Sequence, residues 1–90
     1  MYIHKIALEI EFDPDKDAAN VTKHGISLAR AVDMAEAIAV SDERFAEARY
    51  RIYGLIDGVW HCAAVTRRGR SVRVISLRRA HVKEVKRHGE

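Results

Sequence analysis

The side chains best suited to chemistry in this chain of 90 residues fall into three short stretches. Lys23 and His24 stand together before Gly25, Glu47 and Arg49 stand two apart ahead of an apolar run, and Arg73, Arg78 and Arg79 share the segment "RSVRVISLRR". Histidine is the side chain most easily tuned between acid and base, with an unperturbed pKa of about 6.5. A neighbouring lysine holds that pKa down if it is close. On an extended backbone a carboxylate two residues from an arginine shares its face, so Glu47 could accept a proton or orient Arg49; as a surface ion pair the two would contribute little. Arginine forks match the oxygens of a phosphate or carboxylate in pairs. Taken together, these groups suit acid–base work beside a bound anion.

The charge distribution points the same way. Residues 1–65 carry seven Lys/Arg against eleven Asp/Glu, whereas residues 66–90 carry nine against two, so a net charge of +3 hides a basic last quarter. Clustered cations of this density displace condensed counterions from a polyanion, which makes nucleic acid the leading partner; a solvated basic face is the plain alternative. Cys62 is the single cysteine, which excludes a disulfide framework or a cysteine-based zinc site and suits a reducing cytoplasm. His81 and His88 are seven apart without a carboxylate cluster, unlike the helical histidine pairs of zinc enzymes, so neither a metal nor another cofactor is expected. No stretch approaches the roughly 18 apolar residues of a membrane span, and the N-terminus lacks a signal-peptide pattern. The length suits one domain over residues 1–90.

The elements that must position these groups can be read from periodicity and caps. Ile6, Leu8, Ile10 and Phe12 alternate with Lys5, Ala7, Glu9 and Glu11, as in a strand with one buried face. Asp13-Pro14 reads as an N-cap and first helical position, with Asp15 and Asp17 matching the dipole, and Gly25 ends that helix after His24. By this reading Lys23 and His24 need only satisfy the helix terminus, and since adjacent helical residues point apart, one of the two at most projects toward a site. Ser27 caps a second short helix over roughly 28 to 36, Ile38–Val40 suggests a short strand, and "SDERFAEA" reads as a polar loop. "ARYRIYGLI", "VWHCAAVTR" and "RSVRVISLR" follow, joined at Asp57-Gly58 and near Gly69, as an antiparallel meander. A short basic helix, "AHVKEVKRH", closes the chain. His61, in an apolar strand, reads as a core histidine.

The order argues an α+β fold: an antiparallel sheet of about four to five strands, two N-terminal helices on one face, and a short C-terminal helix. In a regular strand Arg73 shares a face with Ile75 and Leu77, and Arg78 the opposite face with Val72, Val74 and Ser76. Unless a bulge intervenes, Arg73 and Arg78 therefore cannot both serve one site. Arg73, hard to explain as packing, needs an anion.

"FDPDKDAANVTKHGIS", "EARYRIYG" and "VTRRGRSVRVISLRRAHVKE" resemble the BrnT family of bacterial toxins over about residues 10 to 88. The most specific parts are F-D-x-x-K-x-x-x-N-x-x-K-H-G at Phe12 to Gly25 and R-x-I-S-x-R-x-A-x-x-x-E at Arg73 to Glu84. The resemblance implies a RelE-like fold and an endoribonuclease toxin of a type II toxin–antitoxin pair that halts translation. Its implied partners are RNA and a BrnA-like ribbon-helix-helix antitoxin, which neutralises the toxin and supplies the only link to DNA. Three departures stand out: a longer N-terminus at Met1 to Lys5, a shorter loop around Ser41 to Ala46, and His88 where similar sequences tend to have tyrosine.

Metal-free RNA cleavage needs a base for the 2′-hydroxyl, cations for the phosphorane and an acid for the leaving 5′-oxygen. The residues expected to supply these roles are Lys23, His24, Glu47, Arg49 and Arg73. Arg67, Arg78, Arg79, Lys83 and His88 are expected to bind RNA. The competing expectation is a non-catalytic nucleic-acid-binding or adaptor module that keeps the fold and the basic face.

Overall fold

The computed structural model describes residues 9–42 and 48–86; expectations for Met1–Lys5, Glu47 and His88 fall outside them. Strands β1 (Glu9–Glu11), β2 (Ala35–Ser41), β3 (Arg49–Ile56), β4 (Val59–Arg68) and β5 (Ser71–Arg79) form one sheet in the order β1-β5-β4-β3-β2. β1 is parallel to β5, and the other pairs are antiparallel. Helix α1 is Pro14–His24, a 3₁₀ helix spans Leu28–Asp33, and a short helix α2, Val82–Glu84, follows β5.

Local chemistry accounts for the element boundaries. The Asp13 carboxylate accepts from the Asp15 N–H at 2.8 Å, Pro14 occupies the first turn, and Gly25, at φ 73°, donates its N–H to the Val21 carbonyl at 2.8 Å. Asp17 then fastens the next element: its Oδ1 accepts from Ser27 Oγ at 2.9 Å and from the Leu28 N–H at 2.7 Å. The expected second helix is thus present but is 3₁₀ and ends at Asp33, because Met34 is already extended. Asp57 and Gly58, at φ 51° and 76°, make the tight β3–β4 turn, a conformation that Asp-Gly tolerates well.

The core lies on one side of the sheet. Leu28, Ala31 and Met34 cover Ile52 and Ile56 from β3, Ala63 and Val65 from β4, and Val72, Val74 and Leu77 from β5. Gly54 permits this approach, since a Cβ there would stand 3.0 Å from Met34 Cβ. Helix α1 buries only Asn20. Its side-chain amide accepts from the Leu77 N–H at 3.1 Å and donates to the Leu77 carbonyl at 2.8 Å, doing for β5 what a strand neighbour would do. A second bond from Asn20 Nδ2 to the Ile26 carbonyl at 2.9 Å ties the chain leaving α1 to the same point.

One irregularity decides where the arginines point. Ser76 pairs with Ala64 but Val74 pairs with Val65, so Ile75 has no partner on β4 and the strand bulges there. Val74 and Leu77, three apart, both face the core, at 1% and 0% exposure. Arg73 and Arg78 consequently share the opposite face. The expectation from regular alternation, which separated them, is corrected by this bulge.

Candidate active site

A polar row crosses the sheet on the side away from the core. Register places Arg49 of β3 opposite Thr66 of β4, Thr66 opposite Arg73 of β5, and Arg73 beside Glu11 of β1. Asp42, just past β2, donates its backbone N–H to the Arg49 carbonyl at 2.8 Å and completes the row. The sequence across five strands is therefore carboxylate, arginine, threonine, arginine, carboxylate. With neighbouring strands about 4.8 Å apart, the Arg49 and Arg73 backbones stand about 10 Å apart with Thr66 midway. Arg73 Nη1 lies 3.8 Å from Glu11 Oε1, an ion-pair distance longer than a hydrogen bond. Thr66 is 4% exposed, and its hydroxyl has no hydrogen-bond partner among the described residues.

Arg51 lies on the same face, two residues beyond Arg49, with its Nε 4.0 Å from the buried Asp42 carboxylate. The row beyond Arg51 is sealed rather than open. Tyr53, Cys62 and Arg78 stand side by side on β3, β4 and β5. Arg78 grips Glu84 with both arms, Nη1 to Oε1 at 2.8 Å and Nη2 to Oε2 at 3.0 Å, and the Tyr53 hydroxyl donates to Oε2 at 3.1 Å. Glu84 Oε1 also accepts the His81 N–H at 2.9 Å, so the same carboxylate shapes α2 and pins it to the sheet. The Arg78 guanidinium, chiefly, holds the Glu84 carboxyl down at about 2. Burial pushes the Cys62 thiol and the Tyr53 hydroxyl up. Both stay protonated at neutral pH, so this corner holds a helix and offers no nucleophile.

The expected residues divide accordingly. Arg49 and Arg73 flank Thr66 in register. Lys23 and His24 are exposed in the last turn of α1, and among the described residues neither forms a hydrogen bond or ion pair with Arg49 or Arg73. Arg78, expected on RNA, is taken up by Glu84. Arg67 alternates to the other side of β4, exposed, with Nε 3.3 Å from the Gly69 carbonyl. Arg79 lines a groove with Val59, Trp60, Val82 and Lys86 at the end of the sheet, and Lys83 is exposed on α2. His61 is buried, its Nδ1 2.8 Å from the Val59 carbonyl, in keeping with a core role. Glu47 and His88 lie outside the described residues. Among the described residues no three His, Cys, Asp or Glu side chains are grouped as a metal ion would require, and no helix is long and apolar enough to cross a membrane.

Reasoning from sequence missed Thr66, Arg51, Asp42, Tyr53 and Glu84 as members of this face. Arg51 was within reach of it, because Arg49, Arg51 and Tyr53 alternate on one strand. Glu84 also carried a signal: it and Arg78 are both fixed positions of the second motif, and here they bind each other. A threonine in a strand carries none.

The model of a family described as "Ribonuclease toxin, BrnT, of type II toxin-antitoxin system" matches residues 12–84. No curated protein matches the sequence. Among solved structures, the Brucella abortus ribonuclease toxin BrnT is similar at a TM-score of 0.71 and 24% identity, covering 83% of this chain and 99% of that one. That likeness agrees with the α+β arrangement of a five-stranded sheet and few helices. The family match takes in both arginine-bearing strands, the Asn20 helix and the Glu84 pin, and by it the chain belongs to the BrnT family of ribonuclease toxins of type II toxin–antitoxin systems.

Proposed function

We propose that this chain is a metal-independent endoribonuclease that cuts RNA on the side of its sheet away from the core. The observation that carries the reading is the placement of Arg49 and Arg73 one strand to either side of Thr66. Two arginines on the strands that flank β4 suit a phosphodiester whose charge rises as it becomes a phosphorane. In the reaction the 2′-oxygen loses its proton, bonds to phosphorus and expels the 5′-oxygen, which takes up a proton. The products are a 2′,3′-cyclic phosphate and a free 5′-hydroxyl, and no redox or metal step is needed. Glu47, two residues before Arg49, is assigned as the proton acceptor. Lys23 and His24 stay outside the assignment, since ending α1 accounts for them.

Arg79 and Lys83 are assigned to flanking RNA or to the antitoxin. The antitoxin is proposed to be a BrnA-like ribbon-helix-helix protein, and the pair is proposed to act in the cytoplasm. A downstream reading frame of that type, whose product co-purifies with this chain, supports that part of the proposal.

The test is cleavage of a defined RNA by purified protein. Expected are fragments ending in cyclic phosphate, no cutting when the cleaved nucleotide lacks its 2′-hydroxyl, and full activity in a chelator. Arg73→Ala should lower the rate about 10²-fold, as loss of an oxyanion donor does. Arg67→Ala, on the other face, should leave it nearly unchanged. Intact RNA under all conditions, with binding retained, would instead identify a nucleic-acid-binding module without activity.

A further inference from the structure

Thr66 is a member of the polar row whose presence packing and charge pairing leave unexplained. The residue is 4% exposed and its hydroxyl oxygen is fully buried, yet that hydroxyl bonds to nothing among the described residues. A buried hydroxyl without a partner is destabilising, and valine would fill the same volume without that penalty. The position is flanked on both sides by arginines, Arg49 and Arg73, in direct register. An orphan donor between two cations is matched by one kind of ligand, a compact oxyanion whose oxygens accept from all three.

We infer that Thr66 is a phosphate-binding residue, its hydroxyl donating to a non-bridging oxygen of the phosphate held between Arg49 and Arg73. The inference rests on the proposed ribonuclease reading for the identity of the phosphate as an RNA phosphodiester, but not for the existence of the anion site. Access requires that the side chains over the hydroxyl move aside. Arg73 is free to follow the ligand: its side chain is 35% exposed and its contact to Glu11, at 3.8 Å, is too long for a hydrogen bond. Turning from Glu11 onto the ligand exchanges one anion for another at the same guanidinium. The phosphate would then meet the two arginine forks from the sides and Thr66 from below.

The test compares wild type with Thr66→Val, which keeps the shape and removes the hydroxyl, and Thr66→Ser, which keeps the hydroxyl. Each is titrated with inorganic phosphate while the Thr66 amide and Arg73 Nε signals are followed by NMR, and each is melted. Thr66→Val should weaken phosphate binding about ten- to a hundredfold, as loss of a hydrogen bond to a charged group does, while melting at or above the wild-type temperature. Thr66→Ser should bind within about threefold of wild type. A merely structural threonine would give the opposite pattern, with stability falling and affinity unmoved. Phosphate binding unchanged in Thr66→Val overturns the inference; if that variant fails to fold, Thr66→Ala serves in its place. RNA cleavage is measured alongside. No cleavage by wild type, with phosphate binding still dependent on Thr66, rejects the ribonuclease reading and keeps the anion site. Cleavage by wild type with Thr66-independent phosphate binding does the reverse.

Discussion

Arg73 and Arg78, five residues apart on one strand, point to the same side of the sheet because Ile75 between them has no partner on β4. The same bulge keeps Leu77 in the core, at 0% exposure. Deleting Ile75 would leave Val74–Val65 and Ser76–Ala64 as consecutive pairs, so Leu77 would stay in the core and Arg73 and Arg78 would still share a face. The deletion should therefore cost no more than truncating a half-buried isoleucine, about 1–2 kcal/mol, and Ile75→Val, which keeps the bulge, about 1 kcal/mol or less. Urea unfolding of the two variants measures both.

Glu84 should make the docking of α2 sensitive to acid. Its carboxyl is held at about 2 in the folded chain against an ordinary value of 4.5. A carboxyl depressed in this way stabilises the fold in full above its ordinary value, and the contribution is lost as pH falls from there through about 2. Melting temperature followed from pH 6 to pH 2 should therefore drop more steeply for wild type than for Glu84→Gln. At neutral pH that substitution should cost about 1 kcal/mol, the difference between a charged and a neutral hydrogen bond. Equal slopes for the two proteins would show that the Arg78–Glu84 pair does not hold the helix.

Asn20 satisfies both backbone groups of Leu77 as well as the Ile26 carbonyl. Asn20→Ala would leave buried donors and acceptors unmatched, and the expected destabilisation is about 2–4 kcal/mol from two such groups. Asn20→Asp should be no better, because a carboxylate cannot donate to the Leu77 and Ile26 carbonyls. Hydrogen exchange of the Leu77 amide, slow in wild type and fast in both variants, locates the defect.

Much of the fold was legible because it rests on local rules. The Asp13-Pro14 start and Gly25 stop of α1, the Asp57-Gly58 turn and the alternation of β3 and β4 each depend on a few neighbouring residues. What was not legible depends on pairing between distant parts of the chain. Nothing in "SVRVISLR" announces which residue lacks a partner, since the bulge is a property of β5 laid against β4. Asn20 was visible in a motif, but its role needed Leu77, 57 residues away. The candidate site followed the same rule: Arg49 and Arg73 were picked out by residue type, while Thr66 emerged only from register and burial.

The alternation of charge along the polar row bears on how the protein meets salt. Glu11 and Asp42 sit within 4.0 Å of Arg73 and Arg51, so the chain brings its own counterions to these arginines. When a polyanion binds there, some of what it displaces is carboxylate that cannot diffuse away. Fewer free ions are released than the basic composition of residues 66–90 would suggest, and a plot of log affinity for RNA against log salt should be correspondingly shallow. Replacing Glu11 with glutamine should strengthen RNA binding at low salt and steepen that slope by up to about one unit. On the proposed reading, such a face would favour contact with a phosphate in one position over bulk attraction to any nucleic acid.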